Sequence, residues 1–350
     1  MAYTTIDNPE LYFQTKLYTG NGSTQSITLD GSENMQPDWV WLKKRNGTTS
    51  NHFYDSVRGA TNALFSDQTD ATYTASNLLT AFNTDGFTVG NDTGVNNNSD
   101  TFVAWNWKAG GSASSNSNGS VTSTVSANTT AGFSIVSYSG STNSTFTVGH
   151  GLGVVPKIFI LKKRSSSGTN WVMYNANLGN DKRIQLNNTD AEASTTGFGS
   201  TNPTSSVFTV ANGSTTGADG QTYIAYCFAE KKGYSKFGSY TGNGNADGTF
   251  VYTGFLPAWI MYKASSITDQ SWLIHDNKRG NQGSNANPQD LRLLANATNT
   301  EADVNIDFLS NGFKTRAGDA HINSSGTTYI YMAFAESPFV NSNGVPNNAR

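Results

Sequence analysis

Four histidines, at 52, 150, 275 and 321, and the single cysteine, Cys227, are the residues of this 350-residue chain best suited to metal or nucleophile chemistry. A structural zinc site needs four soft or imidazole ligands at close spacing, and no H-x-x-x-H or H-E-x-x-H pattern occurs. No cofactor is expected. His150 sits in "VGHGLGVVPK", a Gly-rich approach to a strand, and is read as a loop residue. A phosphate cradle would need a helix behind those glycines, whereas a strand follows them here. "NGNADG" at 243–248 alternates oxygen-bearing residues as a calcium loop does, yet it lacks the distal bidentate glutamate and reads as a hairpin turn.

Glycoside cleavage would require two carboxylates across one sugar bond. Glu230 and Glu336 suggest themselves, but they fall at equivalent places in separate parts of the chain and read as soluble strand ends. No Ser/His/Asp set recurs, so the sequence reads as that of a non-enzyme. Aromatic residues are the remaining lead, because sugar rings and protein partners stack on indole and phenol faces. Trp171 and Trp272 stand at equivalent positions, three residues before Tyr174 and His275, where the first part of the chain has Asn51. They are the candidate glycan- or partner-binding residues.

Those equivalences rest on an internal repeat. "YTGNG" at 18–22 returns at 240–244, with "YSGST" at 138–142 between them. Each copy continues with a proline-led apolar run ("PDWVWLKKR", "PKIFILKKR", "PAWIMYK"), a Gly-terminated motif ("FYDSVRG", "MYNANLG", "IHDNKRG") and a long closing strand ("TFVAWNWKAG", "TYIAYCFAEK", "TYIYMAFAES"). Four landmarks in one order, three times over, define three units: 1–109, 132–233 and 234–350. Residues 110–131, rich in Gly, Ser and Asn, read as a flexible or surface-draped connector. The short joint between the second and third units predicts a rigid pair, with the first unit more freely placed.

The elements must be strands. In the closing strands, Val103, Trp105 and Trp107 share one face, matched by Ile224, Tyr226 and Phe228 and by Ile330, Met332 and Phe334. That face is predicted to be core. The opposite face, with Ala104, Asn106 and Cys227, is predicted to be tighter or partly solvated. The proline-led runs are apolar on both faces, as expected of central strands. The expected fold is all-β: three tandem antiparallel β-sandwich repeats of jelly-roll or lectin-like type. With one cysteine, apolar burial and sheet hydrogen bonds must supply the stability.

Composition excludes several functions. A net charge of -3 and 13% charged residues offer no basic field for nucleic acid. The "LKKR" clusters at 42–45 and 161–164 read as solvated strand ends. No run approaches the ~18 apolar residues that span a bilayer, and the start "MAYTTIDNPELYF" lacks the pattern of an export signal. Synthesis as a soluble intracellular product without membrane insertion is expected.

The combination of "PDWVWLKKR", "FYDSVRG", "LTAFNTDGFTVGND", "TFVAWNWKAGG", "SANTTAGFSIVSYSG", "VGHGLGVVPK", "TYIAYCFAE" and "FLSNGFK" resembles repeat-containing virion structural proteins of tailed bacteriophages, especially phages of marine bacteria. The resemblance covers nearly the whole chain and implies a tail-fibre-like protein of the virion surface, with other virion proteins and host-surface glycan as partners. It implies no catalytic residues. Host attachment is the first expected function, and capsid or tail decoration that stabilises neighbouring subunits is the second. Analogy with phage fibres favours a homotrimer.

Overall fold

A computed structural model describes residues 2–280 and 286–347. The protein is all-β, built of antiparallel sheets, with only a 3-10 turn at Pro9–Leu11 and one helical turn at Thr93–Asn96 among the described residues. Among the described residues no helix is long and apolar enough to cross a membrane.

Three large sheets repeat one strand order. The opening strand (Phe13–Thr19, Phe133–Ser139, Ser235–Thr241) pairs with the closing strand (Thr101–Trp107, Thr222–Phe228, Thr328–Pro338). The closing strand pairs in turn with the proline-led strand (Trp39–Lys44, Ile158–Lys163, Phe255–Ala264), which pairs with the motif strand (His52–Asp55, Val172–Asn175, Leu273–Asp276). Register is equivalent throughout: Tyr18 faces Phe102, Tyr138 faces Tyr223, and Tyr240 faces Tyr329.

"YTGNG" owes its recurrence to this geometry. The opening tyrosines stack on their cross-strand rings at 5.1, 5.2 and 4.9 Å. Their hydroxyls donate to Val95 O, Thr216 O and Ile322 O in the loops before the closing strands, at 2.5, 2.6 and 2.7 Å. Two residues on, the chain passes so close to that loop that a Cβ on Gly20, Gly140 or Gly242 would lie 2.2, 1.8 or 2.2 Å from a backbone oxygen. Only glycine fits.

Alternation along each strand feeds two separate cores. Val40, Leu42, Phe102 and Ala104 point into a cluster private to the first unit, shared with Phe87 and Val89 of the small sheet formed by Gln25–Ile27, Gly86–Val89 and Leu79–Asn83. Phe159, Leu161 and Tyr223 do the same in the second unit against Phe208 and Val210, and Ile260, Tyr262 and Tyr331 in the third against Phe308 and Phe313. The alternate residues, Trp39, Trp41, Trp105 and Trp107 with Ile158, Ile160, Tyr226, Phe228, Trp259, Met261, Met332 and Phe334, form one core common to all three units. Trp39 stacks on Tyr226 at 4.6 Å, Trp107 meets Trp259 edge-on at 5.4 Å, and Phe228 meets Phe334 at 6.0 Å.

Four expectations are corrected by this arrangement. The second face of the closing strands is not partly solvated: Phe102, Ala104, Tyr223, Ala225 and Cys227 are fully buried, because each sheet is covered on both sides. The first unit is not loosely placed, since its four tryptophans lie in the common core. Residues 110–131 are not a free connector but carry the strands Ser114–Asn116 and Ser123–Asn128, which extend the second sheet beyond its opening strand. The "LKKR" lysines Lys43 and Lys162 are fully buried with Lys263, their ammonium groups donating to the carbonyls of Thr49, Thr169 and Gln270.

Candidate functional site

Trp171 and Trp272 lie in the common core, 0% and 1% exposed, and present no ring face to solvent. Their partner is the protein itself. Trp171 Nε1 donates to Phe65 O of the first unit and Trp272 Nε1 to Gln185 O of the second, each at 2.8 Å. Asn51, the matching residue of the first unit, donates through Nδ2 to Leu294 O of the third at 3.1 Å. The acceptors are equivalent too, because Phe65 pairs with His52, Gln185 with Val172 and Leu294 with Leu273. Each unit thus donates to the one before it, and the first donates to the last, so the contacts close into a ring.

A second set of contacts runs beside it at two of the three boundaries. Tyr226 Oη of the second unit donates to Asp55 Oδ2 of the first at 2.7 Å, and Trp105 Nε1 of the first donates to Asp276 Oδ2 of the third at 2.8 Å. Each carboxylate also holds the arginine three residues on, Arg58 at 2.5 Å and Arg279 at 2.6 Å, with both partners fully buried. At the third boundary the corresponding residues are Asn175, Leu178 and Met332, so donor, acid and cation are absent together.

The polar residues singled out for chemistry lie apart. His52 and His275 are held down to about 3 by burial, His52 next to the charge of Lys43 and His275 with its Nε2 bonded to Val304 O. Both are neutral imidazoles at physiological pH. His150 lies in the loop after Gly149, as expected, and is fully buried there, its Nδ1 accepting from Leu152 N and its Nε2 bonded to Thr204 O. Glu230 accepts from Phe237 N and Lys236, Glu336 accepts from Asn277, and the two line different cavities. Among the described residues no three His, Cys, Asp or Glu side chains gather as a metal site.

Surface aromatics gather at one cleft that sequence reasoning missed. Tyr3, Glu230, Lys232, Lys236, Tyr252 and Gly254 line a cavity of about 540 Å³. Tyr3 Oη donates to Gly254 O at 2.9 Å and lies 3.1 Å from Tyr252 Oη, so Tyr252 supplies the proton between them. Lys232 Nζ sits 4.2 Å from the centre of the Tyr3 ring, which attracts it through the negative ring face. Burial pushes the Tyr3 phenol up, keeping it a neutral donor. Tyr252 is 53% exposed and Phe250, two residues back on the same face, 45%, while Val251 between them is buried.

Residues 8–338 match the family described as a domain of unknown function, DUF7483. The chain belongs to that family. No curated protein and no solved structure matches it. What this DUF7483 domain offers chemically is therefore read from the cleft: two phenol surfaces, two ammonium groups and a carboxylate. The F-V-Y alternation at 250–252 was the available signal, since it aims two rings outward once Val251 is assigned to the core.

Proposed function

We propose that this protein is a virion structural protein of a tailed bacteriophage, displayed on the particle surface and attached, tail-fibre-like, to host-surface glycan through the Tyr3–Tyr252 cleft. The exposed Tyr252 ring beside Lys232 and Glu230 carries this reading, because a sugar ring stacks on a phenol face while its hydroxyls take the neighbouring donor and acceptor. In this reading the three units are β-sandwich modules of lectin-like type. Joined in one chain, they replace the homotrimer of a conventional fibre, and the closed ring of inter-unit hydrogen bonds supports that.

A glycan array and host-cell binding with purified protein test the proposal. Binding that falls about tenfold in Tyr252→Ala, with unchanged folding, is the expected result; ~1.4 kcal/mol corresponds to that factor. Glycan and cell binding that are undetectable, or unaffected by the substitution, would overturn it.

A second reading, capsid or tail decoration, draws on Val154 and Val155, adjacent and 42% and 49% exposed, which suit a contact with a neighbouring virion subunit. Electron microscopy of the particle separates the two readings. Copies spread regularly over a lattice would favour decoration.

A further inference from the structure

The three boundaries between units differ at one equivalent locus. Where the third unit meets the first, Glu301 N donates to Arg45 O at 3.1 Å, and the Glu301 carboxylate bridges Arg45 Nε at 2.7 Å and Arg279 Nη1 at 3.0 Å. Where the first meets the second, the same backbone contact joins Thr72 N to Arg164 O at 3.0 Å, and Arg164 and Arg58 stand where Arg45 and Arg279 stand. Thr72 replaces the glutamate. Where the second meets the third, Glu192 N donates to Ser265 O at 2.8 Å, and Ser265 and Leu178 leave no arginine to be neutralised.

The consequence falls on two atoms. Arg164 Nε, the counterpart of the nitrogen that holds Glu301, is buried with no hydrogen-bond partner, and so is Thr72 Oγ1. Burial, and then repulsion from Arg58, lower the pKa of the Arg164 guanidinium, with Asp55 opposing them. The complete locus holds two cations with the two carboxylates Asp276 and Glu301; the altered one holds two cations with Asp55 alone. A partly buried guanidinium that shares one carboxylate with a second cation is costly. Arg164 and Thr72 are both partly exposed as residues, and Arg58 Nη1, the counterpart of the Arg279 nitrogen on Glu301, donates to Asn62 O at 2.7 Å.

We propose that Arg164, Arg58 and Thr72 form a binding site for a carboxylate ligand, which takes the place that Glu301 fills internally at the equivalent boundary. A carboxylate fits because at the intact locus one carboxylate oxygen, Glu301 Oε1, accepts from both guanidinium groups, and Thr72 Oγ1 adds a hydroxyl donor. The assignment does not depend on the Tyr3–Tyr252 cleft or on a virion role.

The test follows the Arg164 Nε–H resonance of the full chain by NMR, with thermal unfolding in parallel. Sodium acetate, sodium glucuronate and sodium sulfate are titrated separately, at ionic strength held constant with sodium chloride. A saturable shift of Arg164 with either carboxylate is expected, together with a higher unfolding temperature; at 100 times Kd the folded-to-unfolded ratio rises roughly 100-fold. Tighter glucuronate assigns the ligand to an acidic sugar, and tighter acetate to a small free carboxylate. Thr72→Glu should raise the unfolding temperature without added ligand and abolish the acetate response, and Arg164→Gln should abolish that response as well. An Arg164 resonance unmoved by both carboxylates, saturation by sulfate alone, or an equal thermal response in Arg164→Gln would overturn the assignment.

Discussion

The hydroxyl of Tyr226 donates to the carboxylate of Asp55 at 2.7 Å, across the boundary between the first and second units and 171 residues away in the chain. The same hydroxyl accepts from Arg58 Nη2 at 3.3 Å, so a donor from one unit completes a buried ion pair in another. Asp55→Asn should cost about 3–5 kcal/mol in denaturant unfolding, since it leaves Arg58 buried without its counter-charge. The triple replacement Asp55→Asn, Arg58→Leu, Tyr226→Met copies the third boundary and should fall within about 1 kcal/mol of the parent. A triple variant as unstable as the single one would show that the three positions do not form one exchangeable unit.

Trp171→Phe removes the indole N–H that satisfies Phe65 O while keeping an aromatic ring. A loss of about 1–3 kcal/mol is expected, set by the stranded carbonyl. Trp272→Phe should match it, because the geometry at Gln185 O is the same. Neither change should reduce glycan binding by folded protein, which glycan-array signals on both variants would check.

Phe228 stacks on Phe133 at 4.8 Å and touches Trp39 of the first unit and Phe334 of the third, both at 6.0 Å. Phe228→Ala should cost about 3–5 kcal/mol. Because the core is common, calorimetry should show the three units melting in one transition. Separate melting of the first unit would contradict a shared core.

Stability should fall as pH drops from about 6.5 toward 3. His52 and His275 are held down to about 3, so over that window the unfolded chain binds protons that the folded one refuses. The buried lysines act at the other end. Lys43, Lys162 and Lys263 are lowered to about 8 by burial, and an unfolded lysine titrates near 10.4, so stability should rise between pH 8 and 10. Each lysine contributes up to ~1.4 kcal/mol per pH unit there. Lys162→Met should remove its share of the rise, measured as the slope of unfolding free energy against pH.

How far the sequence reaches is clear from particular residues. Val103, Trp105 and Trp107 alternate with Phe102 and Ala104, and that period places them on opposite faces of a strand whatever surrounds it. Tyr18, Tyr138 and Tyr240, with the glycines two residues on, mark each unit because a local stack and a close backbone approach demand those side chains. Repetition, strand identity and the equivalence of Trp171 with Trp272 therefore belong to the sequence itself.

What covers each face was decided only in three dimensions. Alternation says that Trp171 is apolar and in phase with a core, but its indole partner, Phe65 O, lies 106 residues away in another unit. Lys43 and Lys162 read as solvated because a charge pattern cannot reveal that a hairpin carbonyl will cap each ammonium. The exchange of Glu301 for Thr72 carries no signal along the chain either. It acquires meaning when the three units close on one another, because only then do Arg45 and Arg164 meet different neighbours at the same place.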